Sequence, residues 1–329
     1  MALPVAGALN AVSPSTLPSS ALPSAVAARS GLSPHHWIGV AFAVGGVLSF
    51  SLRPVIIKLA YGYGVDPVTL IMLRMVFALP FFLGVAAWQS WRGGRGRVSG
   101  RDLAATIGLG VTGYYAASFC DFLGLRYVSA GMGRLLLFLY PTIVVLLSAL
   151  FLGKRIGLRE VVSLLVSYAG VALVVWSEVG TGHPDFAMGA ALVFGGAFLY
   201  SVYLVGSSQV VQRVGSMRFT AYAMTAACLC CIAQFLVLRP LSALALPQEV
   251  FGLSAVMALL CTVLPVFLTA EALRRVGATL VALSGALGPV SAAIFGYLVL
   301  AEPLGWLQLI GAALTVAGVM IISLWKSKG

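Results

Sequence analysis

Arginine and aspartate side chains set inside long apolar runs are the residues of this 329-residue chain best placed to do chemistry: Arg53, Arg74, Asp121 and Arg134. A charge in a lipid-spanning segment is costly, so it pairs, faces the bundle interior or lines a polar path. In a helical hairpin, residues equidistant from the turn lie at equal depth. Asp121 and Arg134 flank one turn in this way, and Arg53 and Arg74 flank another, which gathers three arginines and one aspartate towards the outer side of the first half of the chain. A guanidinium matches a carboxylate or phosphate bidentately. Arg134 or Arg53 is therefore suited to attract an anionic group, with Asp121 modulating that charge or accepting a proton. The structural alternative is a buried Asp121–Arg134 pair that fixes helix register, with Arg74 bonded to helix-end carbonyls.

Glu271 is the corresponding acid of the second half, close to Arg274 and Arg275 at helical spacings, where a local ion pair competes with a coupling role. Tyr114, Tyr115 and Ser118, then Tyr140, then Tyr200 and Tyr203 could line a mostly apolar cavity; packing alone is the plainer account of each. Pro54, Pro141, Pro265 and Pro289 interrupt apolar runs. Of these, Pro54, Pro141 and Pro289 are hinge candidates, because a proline frees a carbonyl and bends the helix. Gly45, Gly46, Gly195, Gly196, Gly285 and Gly288 read as close helix contacts. The five cysteines (Cys120, Cys228, Cys230, Cys231, Cys261) fall inside apolar runs, and buried free thiols are expected.

What positions these groups is a membrane bundle. With 60% hydrophobic and 9% charged residues, the chain lies far from the soluble range of about 25% charged. Its length allows roughly ten or eleven helices with short loops and no soluble catalytic domain. Apolar runs place ten spans near 37 to 59, 67 to 90, 103 to 125, 130 to 152, 158 to 177, 188 to 209, 218 to 238, 250 to 272, 278 to 300 and 305 to 325. Trp37, Trp88, Trp91, Trp176, Trp306 and Trp325 all lie at the ends of these runs, the headgroup level that tryptophan prefers. Residues 1 to 35, rich in Ala, Ser and Pro, read as a disordered cytoplasmic tail.

The formal charge of +11 reads as a topology signal and not as nucleic-acid binding. A cytoplasmic N-terminus puts Arg29, Arg92, Arg95, Arg97, Arg101, Lys154, Arg155, Arg159, Arg213, Arg218, Arg274, Arg275, Lys326 and Lys328 inside, against Lys58, Arg126 and Arg239 outside. Both termini are expected to be cytoplasmic, in a multi-pass cell membrane protein of the bacterial inner-membrane type.

The chain also repeats itself. An offset of 148 residues matches Leu125, Arg126, Val128 and Ala130 with Leu273, Arg274, Val276 and Ala278, and Pro141 with Pro289. A shift of 150 pairs Gly45, Gly46 and Ser51 with Gly195, Gly196 and Ser201. Two repeats of five spans, 36–177 and 188–325, follow, and an odd span number inverts the second copy. The loop holding Lys154 and Arg155 accordingly has a counterpart holding Glu302 and no basic residue.

On these residues the chain resembles the drug/metabolite transporter superfamily, specifically its EamA-type ten-helix members. The resemblance spans residues 36 to 325 and rests on Asp66-Pro67 followed by Arg74, on the stretch from Arg126 to Arg155, and on the segment from Leu298 to Val319. Family members commonly carry Glu at the end of the fourth span, where this chain has Lys154; Glu302 keeps it in the second half. The resemblance implies an all-α integral membrane fold of ten helices in two inverted repeats. It also implies a cavity between the repeats and export of a small metabolite, such as an amino acid or organic anion, by alternating access. A coupling proton or counter-solute, and a homodimer, fit the same picture. Multidrug or lipophilic-cation efflux is the alternative, with a receptor or channel behind it.

Enzyme chemistry is not expected. His35, His36 and His183 lie outside the spans without an H-E-x-x-H pattern, so no metal site or histidine base is expected in the membrane. No phosphate-binding G-x-x-x-x-G-K-[ST] loop exists to drive an ATP pump, and no cofactor is expected.

Overall fold

The computed structural model describes residues 34–91, 98–153, 156–179 and 185–325. The expected tail up to residue 33 lies outside them, as do Arg92, Arg95, Arg97, Lys154, Arg155, Lys326 and Lys328 of the charge count. The last two residues assigned to the tail belong instead to a helix, which begins at Pro34.

Every regular element among the described residues is helical. Lipid offers no hydrogen-bond partners, so an apolar chain closes its backbone bonds within each segment. Among the described residues, seven helical segments are long and apolar enough to cross a membrane: Trp37–Tyr61, Pro67–Gln89, Gly100–Gly124, Ala130–Phe151, Phe186–Val214, Ser216–Leu238 and Gln248–Thr269. The spans expected near 158 to 177, 278 to 300 and 305 to 325 fall on further apolar helices, whose described apolar stretches are Glu160–Trp176, Leu287–Leu300 and Trp306–Ile321. Trp37, Trp88, Trp91, Trp176 and Trp306 are all exposed.

Several of these segments are broken, and the breaks have causes. α1 (Pro34–Ser51) gives way to α2 (Arg53–Tyr61) at Leu52, two residues before Pro54. α6 (Ala130–Leu137) gives way to α7 (Tyr140–Leu152) just before Pro141. α12 (Leu264–Gly285) gives way to α13 (Leu287–Leu300) at Ala286, just before Pro289. A proline donates no backbone bond and crowds the carbonyl four residues back, so each break sits where that carbonyl is released. Two further segments carry a π-helical turn. Val111–Ala116 joins α4 (Gly100–Gly110) to α5 (Ala117–Gly124), and Leu259–Val263 joins α11 (Gln248–Ala258) to α12. The two π turns begin at positions related by the 148-residue offset, as do the breaks before Pro141 and Pro289.

The remaining helices are α3 (Pro67–Trp91), α8 (Leu158–Val179), α9 (Phe186–Val214), α10 (Ser216–Leu238) and α14 (Trp306–Trp325). α3 and α10 run antiparallel, joined by Asp66 to Arg239, Met75 to Cys228 and Gln89 to Met217. α8 and α14 also run antiparallel. A Cβ on Gly170 would lie 2.5 Å from the carbonyl oxygen of Gly311, an approach only glycine permits. α12 passes Gly39 of α1 at Arg275 and Val276, whereas Gly288 beyond it accepts a hydrogen bond from Ser51 at 3.2 Å.

Candidate functional site

The charged residues converge where α2, α5 and α6 meet. Arg53 stands at the first turn of α2, immediately after the break, and is 7% exposed; Asp121 is 2% exposed on α5. The Arg53 Nη2 donates to Asp121 Oδ2 at 2.5 Å. The expected Asp121–Arg134 pair is thus corrected, since the partner of Asp121 is Arg53. Equal distance from a turn matched depth but not azimuth: α6 directs Arg134 to Phe50 instead. The Arg134 Cζ lies 4.5 Å from the centre of the Phe50 ring, and the Arg53 Cζ lies 4.7 Å from the same ring. One aromatic ring serves two guanidinium groups, an arrangement worth about 0.5–2 kcal/mol for each.

Arg74 is corrected too. It bonds no helix-end carbonyl through Nε or Nη2, both of which are buried without a hydrogen-bond partner, and it covers the Phe122 ring at 4.8 Å. The Nε atoms of Arg53 and Arg134 are likewise buried and unbonded. Arg74 and Arg134 both lie in the field of Arg53 and of Asp121. Three guanidiniums thus share one carboxylate and retain spare N–H donors. Buried donors without partners cost free energy, and an anion with several acceptor oxygens is the group that would satisfy them.

Beside Arg134 runs a row of tyrosines. Tyr140 meets Tyr200 edge-on at 5.3 Å, Tyr200 stacks on Tyr203 at 5.6 Å, and Tyr203 stacks on Phe219 at 6.0 Å. Tyr114 and Tyr203 bring their hydroxyl oxygens to 2.9 Å. Gly113 and Gly288 make room for this assembly: a Cβ would come to 2.2 Å from the Tyr203 ring at the first and 3.1 Å from the Arg134 guanidinium at the second. Ser118 is buried on α5, one turn before Asp121. Tyr115 leaves the row and packs with the core around Cys230 and Cys231.

Glu271 stands apart. It pairs with Arg275 one turn along α12, at 2.7 Å to Nε, and Arg275 covers Phe42 at 5.1 Å. Phe42 precedes Arg53 by three helical turns, about 16 Å along the α1–α2 axis, so Glu271 does not join the arginine cluster. Among the described residues no group of three or more His, Cys, Asp or Glu could hold a metal ion.

Two features escaped the sequence reading. Phe50 is one apolar residue among many until the structure puts both guanidiniums on it; its spacing of three from Arg53 was the available signal. Cys228 and Cys231 have C-x-x-C spacing on α10, and the Cys228 thiol approaches the Met75 sulfur at 3.6 Å. All five cysteines are free.

A helical bundle with several lipid-length segments and a charged, aromatic interior defines a multi-pass membrane protein. The comparisons with known proteins narrow this class. Residues 37–176 and again 187–324 match the EamA-like transporter family, and the chain belongs to that family. It is 31% identical to the uncharacterized transporter YcbK of Bacillus subtilis (strain 168), over 83% of this chain and 88% of that one. A probable terminal-alkyne amino-acid exporter of Streptantibioticus cattleyicolor is 28% identical over 80% of this chain and 85% of its own length. A solved crystal structure shares the fold with a TM-score of 0.57, at 19% identity, over 88% of this chain and 99% of its own.

Proposed function

We propose that this chain is a secondary transporter that exports a small carboxylate-bearing metabolite, an amino acid or organic anion, bound at the arginine cluster. The observation that carries the reading is the set of unpartnered guanidinium N–H groups of Arg53, Arg74 and Arg134 around a single acid, Asp121. A carboxylate placed there gains charge-assisted hydrogen bonds of about 1.5–3 kcal/mol each. The tyrosine row beside Arg134 offers ring faces and hydroxyls to the rest of the solute, and Asp121 is the acid available for an ammonium group or a coupling proton. The relative named as an amino-acid exporter fits a solute of this kind. The surplus of positive charge weighs against the alternative of lipophilic-cation efflux, which the aromatic row alone would suit.

Alternating access by two inverted five-helix halves, 36–177 and 188–325, with both termini cytoplasmic, is the mechanism in this reading. Its support is the double family match and the antiparallel packing of α3 with α10 and of α8 with α14. Ser163 donates to the carbonyl of Gly318, and Gly170 abuts Gly311; the 148-residue offset exchanges these two contacts. That exchange is what halves related by a two-fold axis in the membrane plane would give.

Counterflow in proteoliposomes tests the binding role, with radiolabelled amino acids and dicarboxylates as solutes. Arg134→Ala should raise the half-saturation concentration about tenfold or more, and Arg134→Lys should restore part of the loss. Wild-type kinetics in both variants, in protein that inserts and folds, would remove Arg134 from the site. Conductance without saturation would indicate a channel.

A further inference from the structure

A pocket lies away from the arginine cluster, at the end of the bundle where α2, α5 and α13 close. It has a volume of about 370 Å³ and is lined by Lys58, Tyr61, Leu125, Arg126, Leu300 and Glu302. Its chemistry is unbalanced. Lys58 Nζ donates to Glu302 Oε1 at 2.6 Å, whereas Arg126 is exposed and has no ion pair among the described residues. Tyr61 donates its hydroxyl hydrogen to the Phe122 carbonyl at 2.6 Å, leaving the oxygen free to accept. Glu302 is doubly engaged, because the backbone N–H of Ala130 at the start of α6 donates to both its oxygens at 2.9 and 3.1 Å. The left-handed Ala301 (φ 52°) turns the chain so that Glu302 reaches back to α6.

We propose that this pocket is a second, outer binding site for the anionic group of the transported solute, held between Arg126 and Lys58, with Glu302 as the internal anion it displaces from Lys58. The inference rests on the anionic-solute reading of the central site and extends it to a second station. A carboxylate bridging Arg126 and Lys58 satisfies the free guanidinium and takes over the Lys58 partner. Glu302 keeps its bonds to the α6 N-terminus, so the helix that carries Arg134 stays capped. Lys58 lies on α2 with Arg53, and Ala130 lies on α6 with Arg134. Filling the outer site therefore loosens the Lys58–Glu302 ion pair, which links those helices through Glu302, and so couples outer occupancy to the geometry of the central arginines. The volume suits a small metabolite's head group, and Leu125 and Leu300 give it two apolar walls.

The test is ligand-dependent thermal stabilisation of the purified full chain in lipid-free neutral detergent, with benzoate and inorganic phosphate as probes. A parallel set uses nanodiscs with and without phosphatidylglycerol. Wild-type protein should show saturable stabilisation in detergent, and Arg126→Gln should weaken the midpoint about tenfold. Glu302→Gln retains an acceptor for Ala130 but loses the charge that competes for Lys58, so it should tighten binding. The outer component should survive Arg134→Ala. An unchanged midpoint in Arg126→Gln, or weaker binding in Glu302→Gln, overturns the outer site. Loss of all binding in Arg134→Ala with none in Arg126→Gln leaves the central site alone standing. A response only to phosphatidylglycerol assigns the pocket to lipid and also overturns the proposal.

Discussion

Ser167 and Thr315 meet across the α8–α14 interface, each hydroxyl reaching the other residue's carbonyl, at 3.5 and 3.3 Å, with the Thr315 proton shared with the nearer Gly311 carbonyl at 2.8 Å. They are 148 residues apart, the offset at which the two halves of the sequence match. Around them the helices touch backbone to backbone, and this contact has no slack. A Cβ at Gly170 would meet the Gly311 oxygen at 2.5 Å and the Thr315 nitrogen at 2.6 Å, neither of which can swing away. Gly170→Val should therefore lower stability by about 1–3 kcal/mol, as overpacking does. Thr315→Val should cost only about 0.6 kcal/mol, a usual figure for one hydrogen bond between helices in a membrane. Thermal unfolding in detergent ranks the two, and equal midpoints for Gly170→Val and wild type would contradict the close contact.

A matched pair of glycines provides the control. Gly195 has nothing within 4 Å of the place where a Cβ would stand, whereas at Gly196 the Ala117 carbonyl oxygen lies 2.8 Å away. Gly195→Ala should be neutral and Gly196→Ala destabilising in the same assay.

The Arg53–Asp121 pair is sealed, with the two side chains 8% and 3% exposed. Removing one partner leaves a buried charge uncompensated, at a cost of about 3–5 kcal/mol. Asp121→Asn is expected to lose most of its folded yield. The double variant Arg53→Met with Asp121→Leu should fold better than Asp121→Asn, because it deletes both charges. It should still fail to concentrate solute. Equal instability of the single and double variants, measured by thermal unfolding, would show that the pair acts through packing and not through charge.

Much of this was legible before any coordinates. Arg53, Asp121 and Arg134 stood out because charges in apolar runs are rare, and their shared depth followed from their distances to the turns. Which arginine took the aspartate was not legible. The break at Leu52 puts Arg53 at the start of α2, where it meets Phe50 of α1 and Asp121 of α5, contacts that no local spacing encodes. The tyrosines split for a similar reason. Tyr114 and Tyr115 are neighbours in sequence, and the π turn that contains both sends one to Tyr203 and the other towards α10. The pocket at Lys58 and Glu302 joins residues 244 positions apart, and only the repeat hinted that they face the same side.

Asp66 gives the chain a pH-dependent contact outside the spans. It precedes α3 and accepts from the backbone N–H groups of Val68 and Thr69, at 3.0 and 3.4 Å, and from Arg239 Nε at 3.1 Å. Partial burial pushes its carboxyl pKa up, but the Thr69 bonds and the Arg239 charge outweigh this and hold it below the ordinary 3.8. A depressed carboxylate contributes stability that is fully present above its unfolded value and is lost as pH falls through its folded value. Asp66→Asn should therefore be less stable than wild type at neutral pH, with the gap closing only at a pH below the ordinary 3.8. A gap that persists unchanged to that pH would point to lost cap geometry in place of lost charge.

Pro141 and Pro289 are the proline pair most directly tied to movement. Each follows a break, at Phe138–Leu139 and at Ala286, and the two breaks pack against each other beside Arg134: Phe138 lies 3.9 Å from a Cβ placed on Gly285, and Arg134 lies 3.1 Å from one on Gly288. Replacing either proline by alanine returns a backbone donor and permits the helix to close. If the breaks act as hinges between inward-open and outward-open states, Pro141→Ala and Pro289→Ala should slow turnover several-fold while leaving solute affinity near wild type. Rigid kinks needed only for packing would instead lower thermal stability and leave the turnover of the surviving protein unchanged. Comparing turnover with binding affinity in the same preparation separates the two, and an unchanged turnover number in both variants rejects the hinge.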